Sequence, residues 1–209
     1  MPASNPFYRY ITWLACRGYV SGYSCGAPGE SCPGGYFRPA ADVTRGQLLK
    51  MVVNAAGWPA ATGGQTFEDV PPGSPFYPFI ETGARQGIIA GYTCGRSGEP
   101  CVAPFNRPYF HPSSSITRGQ LSKVLTLGRS YPLPDHPTPT FADVPLGHPF
   151  YPYIEALVAQ GIISGYTCGG PGEPCPARYF RPDASATRAQ VSKVVAGAYA
   201  TPYRAAGEH

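Results

Sequence analysis

Three arginines occupy one position of a recurring phrase: Thr44-Arg45-Gly46-Gln47, Thr117-Arg118-Gly119-Gln120 and Thr187-Arg188-Ala189-Gln190. A Thr followed three residues later by Gln is a capping box, in which side chains and backbone amides at a helix start satisfy one another. A cation just inside a helix N-terminus meets partial positive charge and is mildly unfavourable there. Its recurrence in three copies therefore asks for a reason. Free amides at a helix start attract anions, and a guanidinium is a planar, two-pronged donor for carboxylate or phosphate. Arg45, Arg118 and Arg188 are thus candidate anion-binding residues. The competing reading pairs each with an acid of a neighbouring unit, such as Asp69 or Asp143, or sets it against loop carbonyls. Lys50, Lys123 and Lys193 also share one position, and helical geometry turns Lys123 about 150° from the apolar face of Leu121, Val124 and Leu125. That places these lysines toward solvent, with contact to a ligand or partner as the alternative.

Six of seven cysteines form pairs at one spacing: Cys25 with Cys32, Cys94 with Cys101, and Cys168 with Cys175. Each pair encloses Gly-x-x-Gly-Glu-x. Disulfides would fix the shape of such Gly-rich loops and point to an oxidising compartment. Zinc sites favour two to four residues between paired cysteines, and no repeated His supplies further ligands. Metal binding and free thiols are the weaker alternatives. Cys16 is unpaired; it is either a small helix residue or a point of intermolecular or lipid attachment. Tyr23, Tyr92 and Tyr166 recur in Gly-Tyr steps, as core wall or as a surface for stacking a sugar. Glu81 and Glu155 lack a counterpart in the first copy, which has Thr12. Glu30, Glu99 and Glu173 recur inside the Cys-flanked turns without a partner visible in the sequence. No nucleophile motif, phosphate-binding loop or repeated His is present. Catalysis is not expected, nor is a metal or other cofactor. A modest site repeated three times suits multivalent binding instead.

The elements that must position these residues follow from self-similarity. Ser74-Pro-Phe-Tyr, Gln86-Gly-Ile-Ile-Ala-Gly-Tyr, Tyr109-Phe-His-Pro and Thr117-Arg-Gly-Gln recur with small changes from Asn5 and from His148. The units are read as 1–63, 64–134 and 135–200, followed by a tail, 201–209. Each is predicted to hold two helices. The first starts at Asn5, Ser74 or His148, with Pro in the first turn, and ends at Gly18, Gly87 or Gly161. The second starts at the capping box. Between them lies a Gly-rich stretch with a short extended segment at Ile-Ile-x-Gly-Tyr. The second and third units open on Phe67-x-Asp69-Val70 and Phe141-x-Asp143-Val144; the first has no such opening. Phe7 is therefore expected to be more exposed than Phe76 and Phe150.

Composition sets the class. Of 209 residues, Gly and Pro supply 26 each, yet 13% are aromatic and only 13% charged. Disordered chains show the opposite balance, so a loop-rich globular protein is expected. No apolar run is long enough to span a membrane, and no signal peptide is visible at the start. Net charge is +4, with Arg supplying 13 of 16 basic residues. Those residues form no run, which argues against a nucleic-acid partner.

Phe-x-Asp-Val, Gly-Ile-Ile-x-Gly-Tyr, Phe-Arg-Pro and Thr-Arg-x-Gln, in this order, resemble the S-layer homology domain. The resemblance covers nearly the whole chain in three copies. It implies a mainly α, loop-rich fold of three helix-loop-helix repeats, in a pseudo-threefold, trefoil-like arrangement around a central helical bundle. It also implies non-covalent anchoring at the cell surface to an acidic cell-wall polysaccharide, with Arg45, Arg118 and Arg188 on the acidic group. Here Gln replaces the acid usual in the Thr-Arg-Ala-Glu phrase, and a Cys-flanked loop replaces a short Asp-Gly turn. The other expectation is an extracellular structural subunit whose same surfaces contact further copies or other proteins of a surface layer, filament or larger complex.

Overall fold

The computed structural model describes residues 2–134 and 138–200; the tail 201–209 lies outside the described residues. Six helices carry the fold: α1 Tyr8–Cys16, α2 Arg45–Ala56, α3 Tyr77–Arg85, α4 Arg118–Gly128, α5 Tyr151–Ala159 and α6 Arg188–Tyr199. Two small antiparallel hairpins accompany them. Strand β1 Tyr23–Ser24 pairs with β2 Gly35–Tyr36, and β3 Tyr166–Thr167 with β4 Arg178–Tyr179. Their counterpart in the second unit is a single bridge between Tyr92 and Tyr109. The protein is mainly α-helical and loop-rich, and among the described residues no helix is long and apolar enough to cross a membrane.

Capping chemistry accounts for where the longer helices begin. Thr44, Thr117 and Thr187 each complete a capping box with Gln47, Gln120 and Gln190. The shorter helices begin three residues later than the sequence suggests. Asn5, Ser74 and His148 instead start a turn that delivers the chain to Tyr8, Tyr77 and Tyr151, whose amides donate to their carbonyls. The prolines inside the first helical turn are Pro78 and Pro152. Gly18, Gly87 and Gly161 take left-handed φ of 70°, 68° and 67°. That conformation lets the next amide reach back across the last turn, as Ile88 N does to Gly83 O.

Packing crosses between units. Helix α3 of the second unit lies on α2 of the first, α5 of the third on α4 of the second, and α1 of the first on α6 of the third. Helices α2, α4 and α6 also touch one another pairwise. Their starts are tied by three backbone bonds that run head to tail: Ile116 N donates to Val43 O, Val43 N to Ala186 O, and Ala186 N to Ile116 O, at 2.8, 3.0 and 2.9 Å. All three residues are fully buried, where an unpaired amide would cost about 1–3 kcal/mol. The core fills the space between these helices with Leu48, Leu49, Val52, Leu121, Leu125, Val191 and Val195.

The opening segments are held by two buried acids. Glu81 accepts from Thr66 N and Thr66 Oγ1 at 2.8 and 2.9 Å; Glu155 does the same with Thr140 at 2.8 and 2.7 Å. Each carboxylate is 1% exposed. Asp69 then accepts from the amides of Phe110 and His111, and Asp143 from those of Phe180 and Arg181. In the first unit Thr12 replaces the acid and turns its hydroxyl back to Tyr8 O and Arg9 O of its own helix. Phe7, Phe76 and Phe150 are all half-buried, and the contrast between the units is plain elsewhere. It falls one residue on: Tyr8 is 37% exposed, against 8% for Tyr77 and 6% for Tyr151. Tyr77 reaches under its opening segment to Gly64 O, and Tyr8 has no such segment above it among the described residues.

Candidate functional site

Each repeated arginine lies at a junction between two units. Arg45 Nε donates to Phe110 O, Arg118 Nε to Phe180 O and Arg188 Nε to Phe37 O, all at 2.8 Å. Each guanidinium also lies over the ring of that phenylalanine, 4.4 Å from its centre. Of the alternatives open in the sequence, contact with loop carbonyls is thus present. None of the three is within ion-pair distance of Asp69 or Asp143 among the described residues. Burial pushes the pKa of all three below the ordinary arginine value, but from so high a start they stay charged.

The helix amides beside them are not free. Arg118 N and Gly119 N donate to Ala184 O and Pro182 O of the third unit, and Gln120 N to the capping Thr117. The same pattern ties Arg45 and Gly46 to Ser114 and Pro112, and Arg188 and Ala189 to Ala41 and Pro39. The sequence reading of an amide-lined anion cradle therefore needs correction, because the neighbouring unit's carbonyls occupy those donors. Arg45 and Arg188 are themselves buried, at 7% and 6% exposed. Arg45 and Arg118 have no acceptor for their terminal nitrogens among the described residues. Arg188 gives its own to Tyr23 Oη at 3.2 Å and Ser21 O at 2.7 Å.

The recurring tyrosines line the same junctions. Tyr166 lies between Arg118 at 4.8 Å and Arg181 at 4.4 Å; Tyr23 lies between Arg188 at 4.7 Å and Arg38 at 4.6 Å. Their hydroxyls accept from Gln190 and Gln47 at 2.8 and 3.4 Å, as Tyr92 accepts from Gln120 at 3.1 Å. Cations thus lie against the rings that the sequence offered as core wall or stacking surface. The capping glutamines do two jobs, closing the helix start and orienting the tyrosine.

The three cysteine pairs are disulfides, and Cys16 is free and exposed. The glutamates in these loops have partners that the sequence did not reveal. Arg38 donates from Nε and Nη2 to the two oxygens of Glu30 at 2.9 Å each. Arg181 grips Glu173 in the same way at 2.7 Å. The signal was present in the repeat, since Glu, Tyr-Phe-Arg-Pro and the cysteines recur together. Arg38 holds the Glu30 carboxyl down at about 2, and Arg181 likewise lowers Glu173. In the second unit His111 replaces this arginine.

A cavity of about 210 Å³ opens beside Arg188. It is lined by Tyr19, Tyr23, Gln47, Lys50, Phe76 and Arg188, among others, and brings all three units to one site. Lys50 is exposed there, as expected. Lys123 and Lys193 are only half exposed, and Lys123 Nζ lies 5.5 Å from the Tyr153 ring.

Comparison with known proteins agrees with this anatomy. A family model described as S-layer homology domain matches residues 66–122 and 140–192, more than half of the chain. Both matches fall in the second and third units. A cellulosome-anchoring protein of Acetivibrio thermocellus is 29% identical over 167 residues, an alignment that takes in 76% of this chain and 32% of that protein. This chain therefore spans about a third of the relative's length.

Proposed function

The chain belongs to the S-layer homology domain family, and we propose that it is a non-catalytic module that anchors its bearer at the cell surface by binding an acidic cell-wall polysaccharide. The observation that carries this reading is the recurrence of one cationic, aromatic station at each junction between units. Arg45 with Tyr92, Arg118 with Tyr166, and Arg188 with Tyr23 present the same chemistry three times. The cavity beside Arg188, rimmed by the exposed Lys50, has room for a sugar unit. The three-way backbone bonds at Val43, Ile116 and Ala186, and the seating of α1 on α6, support a pseudo-threefold, trefoil-like closure. That closure would spread the three stations around one body. A repeating polymer could then engage several weak sites together and gain avidity without a deep pocket. Similarity to a cellulosome-anchoring protein supports attachment, and three disulfides suit an extracellular location.

The test is co-sedimentation with purified cell-wall polysaccharide. Lys50→Glu, Lys123→Glu and Lys193→Glu together should weaken sedimentation several-fold while the melting temperature changes little. Binding by the parent protein should also fall as salt is raised, because exposed charges are screened. Equal sedimentation of the triple variant and the parent at all salt concentrations would overturn the charge-based reading.

A further inference from the structure

The three stations differ at the residue that meets the loop glutamate, and the second also carries Arg96 where the others have Ala27 and Gly170. In the first and third units an arginine grips the loop glutamate with two donors and covers the tyrosine. In the second unit His111 does both tasks. Its Nε2 lies 2.6 Å from Glu99 Oε1, and its ring stacks on Tyr92 at 4.9 Å and 15°. A single ring nitrogen cannot reach both carboxylate oxygens. Glu99 Oε2 is accordingly buried without a hydrogen-bond partner, whereas Glu30 Oε2 and Glu173 Oε2 accept from an arginine nitrogen and also from a backbone amide. His111 is also held in the left-handed region at φ 59°, as Arg38 and Arg181 are at 54° and 60°. The histidine therefore sits in the architecture built for a permanent cation.

We propose that the junction of Arg45, Tyr92 and His111 is a pH-graded anion-binding site, stronger in mild acid, beside two junctions whose charge does not change across that range. This rests on the wall-binding reading above. Charges facing His111 come from every neighbouring segment. Glu99 and Arg96 lie in its disulfide loop, with Arg96 5.2 Å from the Tyr92 ring centre. Tyr92 and Tyr109 flank the imidazole, and Asp69 accepts its backbone amide. Glu68, paired with Arg107, lies beyond. Arg45 from α2 approaches the Tyr92 ring to 5.4 Å. With His111 neutral, Arg45, Arg96 and Glu99 sum to the same formal charge as Arg118, Arg181 and Glu173 in the third unit. Protonation adds one positive charge to the second junction and turns the bond to Glu99 into a charge-assisted one. Imidazole is the side chain suited to gain charge in mild acid, whereas the arginines of the other two junctions carry theirs throughout.

The probe is sodium glucuronate, a carboxylated sugar that stays ionised throughout the range. Amide shifts of labelled full-length protein would be followed in mild acid, about pH 5.5, and in mild base, about pH 8, at fixed ionic strength. Around Tyr92 and Arg45 the apparent affinity should fall about two- to fivefold at the higher pH, the worth of one exposed charge pair. Around Tyr166 and Arg118 it should hold steady. His111→Arg should remove the difference between the two pH values, and a second variant, His111→Gln, should fix the site in its weaker state at both. Equal pH response at the two junctions, or a response that survives in His111→Arg, would overturn the inference while leaving the wall-binding reading intact. Absence of glucuronate-induced shifts at every junction at both pH values would overturn both.

Discussion

Arg118→Lys keeps the charge and nearly the length of the side chain, yet it should destabilise the fold. Lysine has a methylene where arginine has Nε. The 2.8 Å bond to Phe180 O would be lost, and a half-buried carbonyl would be left without its donor. A hydrogen bond from a charged group contributes about 1.5–3 kcal/mol. Stacking of the planar guanidinium on Phe180 and Tyr166, at 4.4 and 4.8 Å, adds about 0.5–1 kcal/mol each at partly exposed sites. Lysine recovers part of the cation–π attraction but none of the planar contact. The net loss should be about 2 kcal/mol. For a chain of this size that lowers the melting temperature by roughly 4–8 °C. Urea unfolding without reductant, followed by circular dichroism, measures the change, and an unaltered denaturant slope would show that the folded and unfolded states keep their compactness. Tyr166→Phe, which removes only the hydroxyl bond from Gln190, should cost about 1 kcal/mol or less. If Arg118→Lys is as stable as the parent, the arginine is not part of the joint between units, and its recurrence has to be explained by ligand alone.

Gly119→Ala should destabilise despite alanine's better helix propensity, because the new Cβ would lie 2.4 Å from Phe150 Cδ2; overpacking costs about 1–3 kcal/mol against about 1 kcal/mol gained. Gly197→Ala meets only Ile162 at 3.4 Å and should instead stabilise by up to about 1 kcal/mol in the same denaturation assay. Glu81→Ala removes both acceptors of Thr66, so limited proteolysis should cut the segment before Phe67 faster than in the parent, and unchanged cleavage would contradict the clamp. Arg38 lowers Glu30 from 4.5 to about 2, a depressed carboxyl pKa, so the stability it contributes is present above about pH 4.5 and is lost as pH falls toward 2; amide exchange at Ala27, whose N–H the carboxylate accepts, should quicken over that window. Alkylation of unreduced, denatured protein should label Cys16 alone, and labelling of all seven cysteines would remove the case for an oxidising compartment.

Capping chemistry was legible because it is local. A Thr and a Gln three residues apart contain both partners of the bond, and all three boxes are formed. The C-terminal glycines and the disulfide loops were legible for the same reason. The starts of α1, α3 and α5 were misplaced because a Pro after Asn or Ser fits a turn as well as a first helical turn, and only the following chain decides between them. Non-local partners were hidden. Nothing near Arg118 in sequence names Phe180 O, 62 residues away, as its acceptor. Glu30 and Arg38 stand eight residues apart across a hairpin, and internal comparison of the repeats was the one signal that could have joined them.

The same comparison sets Thr12 of the first unit against the buried acids of the other two. Glu81 and Glu155 are buried, and each receives two hydrogen bonds from the threonine of an opening segment. Burying a carboxylate without such donors would be costly. Thr12 removes that charge and satisfies its hydroxyl within its own helix. The joint at Arg188 keeps the Tyr23 and Phe37 contacts found at the other two junctions, so the change at Thr12 leaves the joint between the third and first units intact.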